Sequence, residues 1–329
     1  RRSSHQISNS RANLMHIALI GDSTIDNVVW TGHPREVSAQ LREMLRSSDA
    51  LVTNLAADGF TTSKVLHGGI PAISLVKREQ AGDPFREVGD DGIFRPLVAL
   101  DSLDPPPTHA VISIGGNDIR AILGSMHRLE EVVKDFHYNY SLILDQVCKT
   151  VPKTVLMFQY RPSLNMDESY GVYRAMGSLP GSGDAVAKLN RLMESIYNPI
   201  LKVASQRCLP VIDLPRSFDI EDDSLYRCQI EPSAAGGGLI AELISHVVLH
   251  HDFGSTSKMY FKPESCVCED INHGAGDWSI PQWSPSPKQE QVHDQGEVGI
   301  SSQSGAVAVL PKFIRSFARC QWLRTECTS

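Results

Sequence analysis

A chain of 329 residues, 41% of them hydrophobic, is long enough to bury one large core, or one domain with a smaller appendage. Its formal charge of −7 is spread along the chain, which argues against a nucleic-acid-binding face, and no apolar run approaches the roughly 20 residues of a membrane-spanning helix. Seven cysteines make no disulfide framework, and the odd count leaves at least one thiol free, which favours a reducing, cytoplasmic compartment. The first residue is Arg1 rather than Met, so targeting stays open.

Residues 1–13 are polar and unpatterned and are expected to form a disordered arm. His16 to Ile20 is a short apolar run that reads as a buried strand. It ends in Gly21-Asp22-Ser23, which places Ser23 just past the carboxyl end of that strand. Ligands gather at this edge of open α/β sheets. Ser23 is therefore either a nucleophile or a helix N-cap. Glu36 to Leu45 has a helical pattern, and Leu51 to Leu55 reads as a second strand followed by Ala56-Ala57-Asp58-Gly59-Phe60. Residues 67–107 are rich in Gly, Pro and Asp, with one short helix expected near Phe94 to Leu100; a loop this long is expected to shape a binding pocket.

His109 to Ile114 is a third strand running into Gly115-Gly116-Asn117-Asp118. Leu129 to Val147 carries the i, i+3, i+4, i+7 rhythm of an amphipathic helix. Thr154 to Phe158 is a fourth strand. A helix is expected over Ala185 to Gln206, kinked or split by Pro199. Leu209 to Leu214 is a fifth strand, and Pro232 to His250 a last helix. Strands alternating with helices, each strand continuous and apolar, predict a parallel sheet covered on both faces. Residues 252–329 lack periodicity and read as a low-order tail with one short helix near 310–322.

Three strand ends thus bring GDS, AADG and GGND to one edge. Acyl transfer needs a nucleophile, a base and donors aimed at a developing oxyanion. Ser23 can attack, while its own N–H, that of Gly59 and the amide of Asn117 can serve as donors. In this order and position the three turns resemble the first blocks of the GDSL, or SGNH, hydrolase family of esterases and lipases; the resemblance covers roughly residues 14–250, and the hydrolase-like domain is expected over 14–251. The resemblance implies a flavodoxin-like three-layer α/β/α sandwich with a central parallel sheet of about five strands. It also implies a serine esterase working through an acyl-enzyme on Ser23, with Gly59 and Asn117 completing the oxyanion hole. A small-molecule ester is the implied partner, and no metal or organic cofactor is implied.

The fourth block departs from the family's Asp-x-x-His. Here Cys228 stands where Asp is expected and Glu231 where His is expected. Imidazole titrates near pH 6.5 and suits a serine proton, whereas an ordinary glutamate near 4.3 is a weaker base unless burial raises it. Three outcomes follow. Glu231 acts as base; or a histidine arrives from elsewhere, with His33, His67, His109, His246, His250 and His251 as candidates and His67 foremost; or catalysis is lost and the domain is a binding module for an acyl or glycan ligand. Asp213, Asp219, Asp222 and Asp223 are candidates to orient a base. Gly236-Gly237-Gly238 at a helix start reads as close packing before an anion cradle. Cys266, Cys268 and His273 lack the spacing of a zinc site. The Asn139 sequon falls inside the long amphipathic helix.

Overall fold

The computed structural model describes residues 14–71, 89–124, 126–166, 171–179, 181–261, 268–271 and 278–281. The arm 1–13, the helix expected near 310–322, Cys266 and His273 lie outside the described residues.

The strands are β1 (His16–Gly21), β2 (Leu51–Asn54), β3 (His109–Ser113), β4 (Lys153–Phe158), β5 (Val211–Asp213), β6 (Tyr226–Cys228), β7 (Glu231–Pro232), β8 (Lys258–Tyr260) and β9 (Cys268–Asp270). The helices are α1 (Val28–Thr31), α2 (Val37–Met44), α3 (Thr62–His67), α4 (Pro96–Asp101), α5 (Gly116–Gly124), α6 (Leu129–Thr150), α7 (Val172–Ser178), α8 (Ala185–Gln206), α9 (Leu214–Ser217) and α10 (Ala234–His250). Seven strands form one sheet in the order β2-β1-β3-β4-β5-β8-β9, parallel except for β9. β6 and β7 make a separate antiparallel pair.

Alternation along the strands explains the layers. Ile17, Leu19, Val111, Val155 and Ile212 point to one face, where they pack with Leu41 of α2 and with Ile240, Ile244 and Val247 of α10. The opposite face carries aromatics: Phe158 stacks on Tyr197 of α8 with centroids 4.4 Å apart, and Tyr197 meets Phe136 of α6 edge-on. A sheet buried on both faces needs apolar residues at every strand position, and β1 and β3 are buried throughout.

The sheet is the expected central, mostly parallel one, with seven strands, and β8 and β9 extend it past residue 251. These strands are three residues each, too short to show a period in sequence; β8 is ordered by pairing with β5 and by the burial of Met259 and Tyr260, and β9 by pairing with β8. The 278–281 segment belongs to the same body: Trp278 donates its indole N–H to Asp213 Oδ2 at 2.7 Å and exchanges two hydrogen bonds with Asn198. Of the two outcomes expected at Pro199, a kink or a split, the split does not occur: α8 is one element over Ala185–Gln206.

Candidate active site

β1 and β3 pair in register, Gly21 opposite Ser113, so both strands end at the same level. The close approach is what makes position 21 a glycine: a Cβ there would stand 2.1 Å from the Ser113 carbonyl oxygen. The Asp22 N–H then donates to that carbonyl at 3.2 Å, and the carbonyl of Asp22 accepts from the N–H groups of Ile25 and Asp26. This tight turn presents Ser23 half-exposed at the sheet edge.

The other two turns are laced to one another. The side-chain amide of Asn117, in the first turn of α5, donates to the Phe60 carbonyl at 2.9 Å. The neighbouring Asp118 accepts from the Thr62 N–H and hydroxyl at the start of α3. Gly59 lies in the bend closed by Phe60 N–H donating to the Ala57 carbonyl, with a positive φ of 78°. Its carbonyl accepts from Lys64 Nζ at 3.0 Å. Beneath Ser23, Gln159 after β4 accepts from the Thr24 hydroxyl and donates to Ser113 Oγ at 3.1 Å.

Ser23 and Asn117 line one pocket, about 580 Å³ when the solvent at its open mouth is counted. Gly59 does not line it. Its far wall is apolar: Ile119 and Leu123 from α5, Val172 from α7, and Leu189 and Met193 from α8. The described part of the 67–107 excursion contributes none of the lining, which among the described residues includes side chains of three helices.

Glu231 reaches the same point. The β6–β7 pair sets Cys228 opposite Glu231, and Tyr160 fixes the approach by donating its hydroxyl to the Ile230 carbonyl at 2.7 Å. The Glu231 carboxyl is buried and hydrogen-bonded with the Ser23 side chain, while its Oε2 is buried without a partner among the described residues. Burial drives this carboxyl well above the ordinary glutamate range. The charges of Asp58 and Asp22 add to the rise, and the Ser23 bond and the Arg120 guanidinium oppose it. Asp22 is raised to about 7 by burial and the nearby Asp118, against the N–H groups of Thr24 and Gly116. Asp118 is raised to about 6, again by burial, with Thr62 opposing.

No histidine lines the pocket among the described residues. His33 pairs with Glu36 at 3.0 Å, and His67 is exposed in the last turn of α3. His109 is buried at the first residue of β3, the far end of the sheet from Ser23. His246 and His250 face one another on α10, and His251 bonds the Tyr260 hydroxyl at 2.8 Å. The four aspartates weighed as orienting acids are occupied elsewhere. Asp213 bonds Trp278 and Arg216, Asp219 holds the Glu221 N–H, Asp222 holds the Ser224 N–H, and Asp223 accepts from Ser163. The Gly236 position is explained by packing, since a Cβ there would stand 2.2 Å from the Leu225 carbonyl oxygen. Ser233 caps that helix instead, accepting from the N–H groups of Ala235 and Gly236.

The sequence reading missed Asp58, Gln159, Tyr160 and Arg120. Arg120 left one signal: it lies three residues after Asn117, the spacing that shares a helix face once GGND is seen to open a helix.

No family model and no curated protein matches the chain. Several solved structures are similar to it in fold. An extracellular lipase from Streptomyces rimosus shares 14% identity over 69% of this chain and 97% of its own, at a TM-score of 0.40. A GDSL-like lipase from Parabacteroides merdae shares 14% over 70% and 94%, at 0.41. An acetylxylan esterase from Geobacillus stearothermophilus shares 13% over 73% and 95%, at 0.42.

Proposed function

We propose that this chain is a serine-dependent ester hydrolase in which Ser23 is the nucleophile and Glu231 its base. The observation that carries the reading is the hydrogen bond between the Ser23 side chain and a buried Glu231 carboxyl, made at a pocket that Asn117 also lines. In the first step Ser23 Oγ attacks the ester carbonyl carbon as its proton passes to the Glu231 carboxylate. The product is a tetrahedral oxyanion beside a neutral carboxylic acid. The N–H of Ser23 and the Asn117 amide, which both line the pocket, are the proposed donors to that oxyanion, with the Gly59 N–H, outside the lining, as the third donor expected from the resemblance. Collapse expels the alkoxide, which takes the proton from Glu231 and leaves as an alcohol. Water then attacks acyl-Ser23 by the same route, releasing the acid and restoring Ser23. A raised pKa makes the Glu231 carboxylate a stronger base than an ordinary glutamate.

The apolar rows bear on the substrate. Ile119 and Leu123 lie four residues apart on α5, and Leu189 and Met193 four apart on α8, so each row runs about 6 Å. That length suits an acyl chain of about four to six carbons better than an acetyl group.

The test is hydrolysis of p-nitrophenyl esters from acetate to octanoate by the wild type and Ser23→Ala, with fluorophosphonate labelling alongside. We expect labelling at Ser23, a preference for the mid-length esters, and a loss of about four orders of magnitude or more in kcat on Ser23→Ala. Equal background rates in both proteins would sink the enzyme reading.

A second reading rests on one observation. Burial and the charges of Asp58 and Asp22 favour the protonated form of the Glu231 carboxyl, and that form cannot take the Ser23 proton. The pocket would then serve to bind an acyl or glycan ligand without cleaving it. Saturable binding of a butyryl or hexanoyl ligand by a protein that hydrolyses none of the esters at any pH favours this reading.

A further inference from the structure

A serine paired with a carboxylate base poses an electrostatic problem that a serine paired with histidine does not. Imidazole starts neutral and ends as a cation beside the oxyanion. A carboxylate starts as an anion and ends neutral, so the site holds one negative charge throughout, which moves from the base to the oxyanion. Here that charge moves among other carboxyls, with Asp22 and Asp58 both acting on Glu231. A stationary cation near both ends of the path is what such chemistry needs.

Among the described residues lining the pocket, Arg120 alone is cationic. It stands one turn after Asn117 on α5, and its Nη1 donates to Asn117 Oδ1 at 3.2 Å. With Oδ1 held by Arg120 and one amide hydrogen held by the Phe60 carbonyl, the Asn117 amide has a single orientation, and its remaining N–H is set. Donation to Oδ1 by a charged group also polarises the amide and strengthens Nδ2–H as a donor. At the other end of the path the Arg120 charge acts on the Glu231 carboxyl.

We propose that Arg120 is a positioning residue of this site: its guanidinium locks the Asn117 amide and supplies the fixed positive charge along which negative charge passes from Glu231 to the oxyanion. This rests on the serine-hydrolase reading above. The groups that face Glu231 are Asp22 and Ser23 from the turn after β1, Asp58 from the turn after β2, Arg120 from α5, Tyr160 after β4, and Cys228 across the β6–β7 pair. Among them Arg120 is the one that favours the ionised carboxylate by charge.

Arg120→Gln and Arg120→Lys test the role, with Ser23→Ala as the reference, by steady-state hydrolysis of p-nitrophenyl butyrate across pH and a thermal melt of each protein. For Arg120→Gln we expect kcat to fall about 100-fold with KM changed by less than about threefold. The alkaline-rising limb of its pH profile should move to higher pH, because Glu231 loses its cation. Arg120→Lys keeps the charge without the fork, so its limb stays near the wild-type position while kcat still falls by about tenfold. Wild-type kcat and an unmoved limb in a folded Arg120→Gln protein, with Ser23→Ala inactive, overturn the role of Arg120 and leave the hydrolase reading intact. If Arg120→Gln fails to fold, undiminished kcat in Arg120→Lys overturns the amide-locking role. Activity indifferent to Ser23→Ala instead removes the reading on which the proposal rests.

Discussion

A buried carboxyl touching the serine hydroxyl makes the chemistry of this site dependent on pH. The base form of Glu231 is the carboxylate, and burial with its acidic neighbours holds the proton on it well above the glutamate range. Hydrolysis should therefore rise with pH through that raised value. Glu231→Gln should remove the rise together with most of the rate; undiminished activity in that variant would exclude Glu231 as base. Stability should run the other way. Asp22, Asp118 and Glu231 are each harder to ionise folded than unfolded, so the folded state binds extra protons. Their contribution is complete below about pH 4 and is lost as pH rises through about 6 for Asp118 and about 7 for Asp22. Glu231→Gln should accordingly flatten the fall of melting temperature with pH. A steeper fall in that variant would contradict the burial argument. Asn117→Ala should cost about 3 kcal/mol of transition-state stabilisation if its amide serves the oxyanion, read as a loss in kcat.

At the level of elements, the site depends on strand ends held level and helices that begin on time. Gly21→Ala forces a methyl group against the Ser113 carbonyl and pushes β1 from β3. A loss of about 3 kcal/mol in stability is expected, with a fall in activity because Asp22 and Ser23 hang from the displaced turn. Urea unfolding and ester hydrolysis measured on one preparation check both. The apolar row on α5 is open to a gentler test. Leu123 is half-buried at the pocket, and Leu123→Trp should shorten it, moving the preference toward acetate with little change in melting temperature. An unchanged chain-length profile would place the acyl chain elsewhere.

Across the whole molecule, β5 is no edge strand: β8 and β9 continue the sheet beyond it, and Trp278 clamps the segment at 278–281 onto Asp213 and Phe158. A chain cut after residue 251 leaves β5 unpaired on that side, with the aromatic contacts of Trp278 gone. It should be insoluble or lack a cooperative melt, whereas a chain cut after 281 should retain both the melt and the Ser23-dependent activity. Expression and thermal denaturation of the two truncated chains settle the boundary. Among the described residues no helix is long and apolar enough to cross a membrane.

The alternation of apolar strands with amphipathic helices was legible in the sequence, because side-chain periodicity records which face of an element is buried. β1 to β5, the long helices α6 and α8, and the turns bearing Ser23, Gly59 and Asn117 were all visible that way. The turns stood out because tight bends at strand ends demand Gly, Asp and Asn. The three-residue strands β8 and β9 were invisible, since so short a segment has no period and is ordered only by the neighbour it pairs with. The proposed base was legible as a residue and not as a chemistry. Sequence put Glu231 where a histidine was expected, but its strength as a base depends on burial and on Asp58, Asp22 and Arg120, brought together from separate elements. That the Arg120 charge acts on Glu231 was likewise decided by tertiary structure, because electrostatic coupling depends on distance through space rather than position along the chain.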